Sequence, residues 1–188
     1  IKGLGERPFT LTGSVIDLYS RERRLERVVS AVTAKVVSED LEITSDTLDL
    51  RLADQRLQRA FAWGASRAHA VTPTQDLRAD SLDMIMPGQR LEQVHAVGGA
   101  EARTTPDSTK IIATDRDLLR GDTTLALFDS IPPADTSTQA RLRELRARVR
   151  AVAFYHLAPP DTLSRCPNIN YSNGGEIVVR FEQGEVRD

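Results

Sequence analysis

Asp80–Ala102 reads DSLDMIMPGQRLEQVHAVGGAEA, and 34 residues upstream Asp46–Ala68 reads DTLDLRLADQRLQRAFAWGASRA. Laid together without a gap, the two stretches share nine of 23 residues, where chance gives about one or two. A third copy lies at Val15–Ala34, VIDLYSRERRLERVVSAVTA, with Asp17 and Leu25 standing 32 residues before Asp49 and Leu57. Ala113–Asp129 and Glu176–Asp188 follow the same rhythm more loosely. A period of this length implies stacked supersecondary units, each unable to cover its own apolar face without a neighbour.

Inside each copy the local period is two. Leu48, Leu50 and Leu52 alternate with Asp49 and Arg51, and Leu82, Met84 and Met86 alternate with Asp83 and Ile85, the pattern of strands with one buried face. Turns are expected at Ser20-Arg21-Glu22, Ala53-Asp54-Gln55 and Pro87-Gly88-Gln89, where the Pro-Gly pair supplies a fixed φ and then a tolerant one. Return strands then run over Leu25–Val32, Leu57–Trp63 and Leu91–Val97. Small residues at Gly64-Ala65-Ser66 and Gly98-Gly99-Ala100 suit a bend or a bulge. The expected fold class is mainly β, each unit being two or three short strands joined by tight turns and stacked on its neighbours.

One segment breaks the rhythm. SIPPADTSTQ follows Asp129, and beyond it Thr136 and Gln139 fit a capping box while Leu142, Leu145, Val149 and Val152 share one helical face. This predicts a helix near 137–148, within a helical insertion spanning 130–157. Its arginines, Arg141, Arg143, Arg146, Arg148 and Arg150, read either as a solvated face balanced by Glu144 or as a positive field for phosphate groups.

Composition narrows the function. A net charge of −2 and 28% charged residues recruit neither nucleic acid nor an anionic surface at whole-chain level. The lone Cys166 leaves no intramolecular disulfide and no site built on several thiolates. No apolar run approaches the roughly 18 residues that span a bilayer. The chain begins at Ile1 and stops after EQGEVRD, and it reads as a single domain over 1–188 cut from a longer protein.

Candidate chemistry is thin. Asp46, Asp49, Asp80, Asp83, Asp115 and Asp117 form a column that reads as solvated strand faces or Asx turns rather than as paired catalytic carboxylates. His69, His95 and His156 have no second ligand at metal spacing. RGD at Arg120–Asp122 reads as a turn, and no phosphate loop or nucleophile elbow occurs. Neither a catalytic residue nor a cofactor is implied. What stands out is the apolar stripe itself, Leu48, Leu50, Leu52, Leu82, Met84, Met86, Leu125 and Leu127, extended by Ile177 and Val179 near the end. In a sheet folded as an open trough, such a stripe can hold acyl chains, and methionines suit an adaptable lipid-facing wall.

The stretch LRADSLDMIMPGQRLEQVHAVGGAEA, Leu77–Ala102, together with its recurrence and with EIVVRFEQGEVRD, resembles the OstA or LptA-like domain of lipopolysaccharide transport. The resemblance covers most of the chain apart from Pro132–Leu157. It implies an incompletely closed β-jelly roll in the periplasm, associated with inner- or outer-membrane transport complexes, shielding the acyl chains of lipopolysaccharide in an apolar groove. It also implies end-to-end assembly with similar domains, or with further copies, through edge strands near Thr10–Leu18 and Ile177–Val186. Two other readings use the same period: a parallel β-helix enzyme acting on polysaccharide through the Asp column, and a structural repeat that assembles by its edges around a filled interior.

Overall fold

Alternating strands joined by turns of two or three residues can only fold back antiparallel on the strand before. The computed structural model, which describes residues 2–3, 8–38, 41–129, 141–159, 164–182 and 185–187, is built this way. Its strands are β1 (Lys2–Gly3), β2 (Phe9–Thr12), β3 (Val15–Arg21), β4 (Arg24–Val37), β5 (Glu42–Ala53), β6 (Arg56–Val71), β7 (Gln75–Ile85), β8 (Gln93–Thr104), β9 (Asp117–Phe128), β10 (Leu142–Leu157), β11 (Asn168–Glu182) and β12 (Glu185–Arg187). They form one 12-stranded sheet in sequence order, except that β2 and β3 lie end to end along the same side of β4. Every pairing is antiparallel. The parallel β-helix is thereby overturned: the 34-residue period is one turn of a meander, two strands out and back, not one coil of a solenoid.

The turns obey their local chemistry. Asp54 and Gln55 have φ of 49° and 62°, and Glu22 and Arg23 have φ of 50° and 63°, the two positive values that a type I′ hairpin requires. The first turn thus sits one residue later than Ser20-Arg21-Glu22. Pro87–Gln89 makes a short 3-10 turn with Gly88 at φ 62°.

The strands are longer than the sequence suggests because they do not stop at their small residues. They pass through them and bend. Each neighbouring pair from β4 to β11 breaks register near its middle: Ala31/Ala34, Thr44/Thr47, Trp63/Ala68, Arg78/Ser81, Val97/Ala100, Arg148/Val152 and Arg148/Ala151. A bulge adds backbone to one strand, sharpens its twist and turns it. Aligned across neighbouring strands, the bulges crease the sheet into two arms. Gly98 holds φ 87°, and Val32, Thr33, Val149 and Arg150 also have positive φ, a conformation costing about 1–3 kcal/mol for non-glycine residues and held only where the surroundings impose it.

Two apolar rows cross the inner face of the first arm in register. One runs Val28, Leu50, Ala60, Met84, Val94, Ala126, Leu145, Val179. The other runs Ser30, Leu48, Ala62, Leu82, Ala96, Thr124, Ala147, Ile177. Large and small residues are interspersed along both, which lets the facing arm interdigitate. Leu48, Leu50 and Leu82 are wholly buried, each worth about 1.5–3 kcal/mol relative to exposure.

Two expectations are corrected here. The segment Leu142–Leu157 is strand β10, not helix, and the rest of the expected 137–148 helix and 130–157 insertion lies at 130–140, outside the described residues. The inward positions, Leu145, Ala147, Ala151, Ala153 and Tyr155, keep one period-two phase across the bulge at Val149-Arg150, but three of them are alanines with little apolar signal, whereas of the residues spaced like a helix only Leu145 is buried and Val149 is exposed. RGD is likewise no turn. It sits in β9 at the crease, where a Cβ on Gly121 would come within 2.8 Å of the Arg148 carbonyl oxygen.

At the crease Asp46 packs on Gly64 and Asp80 on Gly98, and a Cβ built on Gly98 would meet Asp80 Oδ2 at 2.2 Å. Gly98→Val is expected to lower stability by about 3 kcal/mol or more, against about 1 kcal/mol for Gly88→Ala, whose Cβ meets open space. Urea unfolding of both variants measures this, and equal losses would remove the crease from the stability argument.

Candidate functional site

Where the two arms face each other they enclose a slot. Its first wall is Met84, Val94, Ala126, Phe128, Leu142 and Leu145, and its second is Ala70, Leu77 and Ala102, with Leu41 and Leu91 from the connecting segments. Water-sized groups fit in about 60 Å³ of it, inside a wider recess of about 600 Å³ that includes the open mouth. Thr72, Gln75, Asp76, Arg103 and Thr104 stand at its rim, in or beside the ends of β6, β7 and β8, and Thr124 of β9 is a further polar residue on its walls.

Of the stripe residues, Leu48, Leu50, Leu52, Leu82, Met84, Met86 and Val179 are buried in the common core, with Ile177 packed against it. Met84 alone among them also lines the slot. Leu125 and Leu127 do not join them. They pair with His95 and Gln93 on the outer face and are half-buried, while Thr124, Ala126 and Phe128 point inward. The whole second wall escaped the alternation reading. Leu77 and Ala79 flank Arg78, and Ala100 and Ala102 flank Glu101, so the period is present, but alanines carry little of the apolar signal that marks a buried face.

The carboxylates of the Asp column disperse instead of converging. Asp46 accepts the Ser66 amide at 2.7 Å across the crease, and that hydrogen bond holds its carboxyl below the usual range. Asp80 lies 3.8 Å from Arg67 at the same crease. Asp49 is buried, not solvated, and accepts both arms of the Arg27 guanidinium at 2.9 and 3.0 Å. Asp83 accepts Arg59 in the same bidentate fashion. These two pairs are one outer-face device repeated, each joining an arginine diagonally to the aspartate on the next strand that stands two residues from its direct partner. Phe61 stacks on Trp63 between them, centroids 4.8 Å apart.

The arginines of β10 are absorbed similarly. Arg146 binds Glu144 at 2.9 Å, Arg148 binds Glu176 at 2.8 Å and Arg150 reaches Asp122 at 2.6 Å. Glu176 is held below the ordinary carboxylate range chiefly by the Arg148 hydrogen bond. Asp115 is exposed ahead of β9. Cys166 is exposed in the loop before β11.

Two histidine pairs were not foreseen, because their partners are close in space only. His156 Nδ1 lies 2.8 Å from Asp117, which also accepts the His156 amide at 2.9 Å. Burial and the Asp117 charge push the Tyr155 hydroxyl well above its usual range. His69 Nε2 lies 2.8 Å from Asp76 at the rim of the slot, with Arg78 at 3.2 Å. His95 faces Asp83 and Leu125 on the outer sheet.

Fold and slot together define an open antiparallel β-jelly roll, creased so that one apolar face closes on itself. Among solved structures this chain is similar to LptH from Pseudomonas aeruginosa, described as the LptA-homologous periplasmic component of the conserved lipopolysaccharide transport device. The likeness has a TM-score of 0.50 at 10% sequence identity and covers 73% of this chain and 93% of LptH. The fold is therefore LptA-like. No protein-family description matches the sequence, and no curated protein does either.

Asp76 supplies a pH test of the slot rim. Burial raises its pKa, but the hydrogen bond and charge of His69 and the charge of Arg78 outweigh that and leave it lowered. A carboxylate depressed on folding stabilises above its unfolded pKa of about 3.9 and loses that contribution as pH falls through the folded value. Asp76→Asn is expected to cost about 1 kcal/mol at pH 7. In thermal melts the gap between wild type and variant should close below about pH 4; a gap independent of pH would show that the carboxylate's charge is not what stabilises the rim.

Proposed function

We propose that this chain is a periplasmic lipid-shielding domain that binds lipopolysaccharide or a related lipid between its arms and joins similar β-jelly-roll domains through its edge strands. The observation that carries this reading is the apolar slot between two arms of an unclosed sheet, in a fold shared with a lipopolysaccharide transport component. Each acyl surface element withdrawn from water gains roughly 25 cal/mol per Å², so shielding needs only an apolar wall and a mouth. The slot is narrow as it stands, so the arms part along the crease to admit a chain. The neighbour being a transport protein argues for a carrier, not an enzyme.

Edge geometry supports the assembly half. β11 is paired by β12 only at Arg180–Glu182, leaving Asn168–Val179 without a partner on that side among the described residues, and Ile169 and Tyr171 are exposed there. At the other end β3 presents exposed Val15, Leu18 and Tyr19. Unpaired strand edges with apolar side chains template addition of another chain. One observation favours the rival reading of a structural module with a filled interior: Leu48, Leu50, Leu82 and Met84 are almost wholly buried by the chain's own residues.

Photo-crosslinking side chains at Leu77 and Met84, one on each wall of the slot, are expected to capture lipopolysaccharide in cells, while the same groups at Asp49 and Asp83 do not. Capture from the outer positions alone would sink the shielding role and leave the structural module standing. For the edges, Ile169→Lys combined with Val178→Lys is expected to weaken self-association at least tenfold in sedimentation experiments without altering the circular dichroism spectrum. An unchanged sedimentation coefficient across protein concentrations, in wild type and variant alike, would remove self-assembly through β11.

A further inference from the structure

Among the described residues, the inner face buries three serine and threonine side chains, Ser30, Ser45 and Thr124. Two are spoken for: Ser30 donates to the Thr12 carbonyl at 3.5 Å and Ser45 to the Thr47 carbonyl at 2.6 Å. Thr124 Oγ1 has no partner among the described residues, although the side chain is 98% buried and lies on the wall of the slot. An unpaired buried hydroxyl is unfavourable by an amount that valine, the same shape without the oxygen, avoids. Across the sheet Thr124 is flanked in register by Ala96 and Ala147, the two smallest side chains that could stand there with a Cβ. The oxygen therefore sits in the shallowest part of an apolar wall, with Met84, Val94 and Ala126 in the next row.

We infer that Thr124 is a ligand-specificity residue: when the arms part, its hydroxyl bonds a polar oxygen carried along an otherwise apolar acyl chain, so the slot selects hydroxylated acyl chains over plain ones. The inference rests on the lipid-shielding reading and sharpens it. An apolar wall alone treats the two chains alike, or disfavours the hydroxylated one. A single waiting hydroxyl reverses that order, because only the hydroxylated chain satisfies both oxygens at once.

The test uses the full chain and displacement of a fluorescent fatty acid by tetradecanoate and by a series of tetradecanoates hydroxylated at successive carbons. At least one hydroxylated acid is expected to bind about 5–20-fold more tightly than tetradecanoate, a difference of about 1–1.8 kcal/mol. Thr124→Val should abolish that preference while leaving tetradecanoate binding within about twofold, and Thr124→Ser should retain it. Without ligand, Thr124→Val should also melt about 2–4 °C higher, as expected when an unpaired hydroxyl is removed from a chain of this size. A preference that is absent in wild type, or unchanged in Thr124→Val, overturns the assignment of Thr124 and leaves lipid shielding intact. Failure of wild type to bind any of the acids overturns both.

Discussion

A sheet with one apolar face and nothing to cover it must either find a partner or fold on itself. Here it folds on itself, and the crease is the constraint on which the rest depends. Register breaks stand at the same level across neighbouring strands from β4 to β11. Remove the alignment and each strand would bend at its own height, leaving the inner rows of the two arms unable to meet. The crease also accounts for the residues that look least at home in strands: positive φ at Val32, Thr33 and Val149, aspartates at 46 and 80, and glycines at 64, 98 and 121.

The repeat gives this device its economy of parts. A glycine opposite an aspartate, and an arginine gripping an aspartate one strand over, recur at the same spacing in successive hairpins. The outer face thereby neutralises its own charge in ladders, which is why a chain with 25 basic and 27 acidic residues carries no large single-sign field there. Exposed ion pairs of this kind contribute little stability each. Their effect is on register, since a one-residue slip would place Arg27 and Arg59 against the core. The inner face uses the opposite strategy, interspersing bulky and small apolar residues so that two arms of the same sheet interlock.

Much of this was legible in the chain itself. The period of 34, the alternation over 48–52 and 82–86, and the turns at Asp54-Gln55 and Pro87–Gln89 follow from local rules that operate within a few residues. β10 was not legible, because its inward row is mostly alanine, while larger apolar residues at 142, 145, 149 and 152 happen to fall at helical spacing although Val149, at the bulge, faces solvent. Leu125 and Leu127 failed for a related reason. Their facing is set by pairing with β8, where Val94 and Ala96 already point inward, and a run such as Leu-Leu-Arg-Gly-Asp-Thr-Thr-Leu-Ala-Leu-Phe offers two phases of nearly equal apolar weight. The second wall of the slot hid among alanines, and the histidine–aspartate pairs hid in sequence distance, with 39 residues separating Asp117 from His156.

By itself, then, the sequence determined that the protein is a β meander of repeated hairpins with one apolar face, since hairpin chemistry and side-chain alternation are properties of neighbours along the chain. Only the tertiary structure decided which phase of each strand faces inward, where the sheet creases, and that Thr124 rather than Leu125 looks into the slot. Those choices depend on bulges and cross-strand register, which are agreements between residues from different copies of the repeat, and no copy read alone contains them.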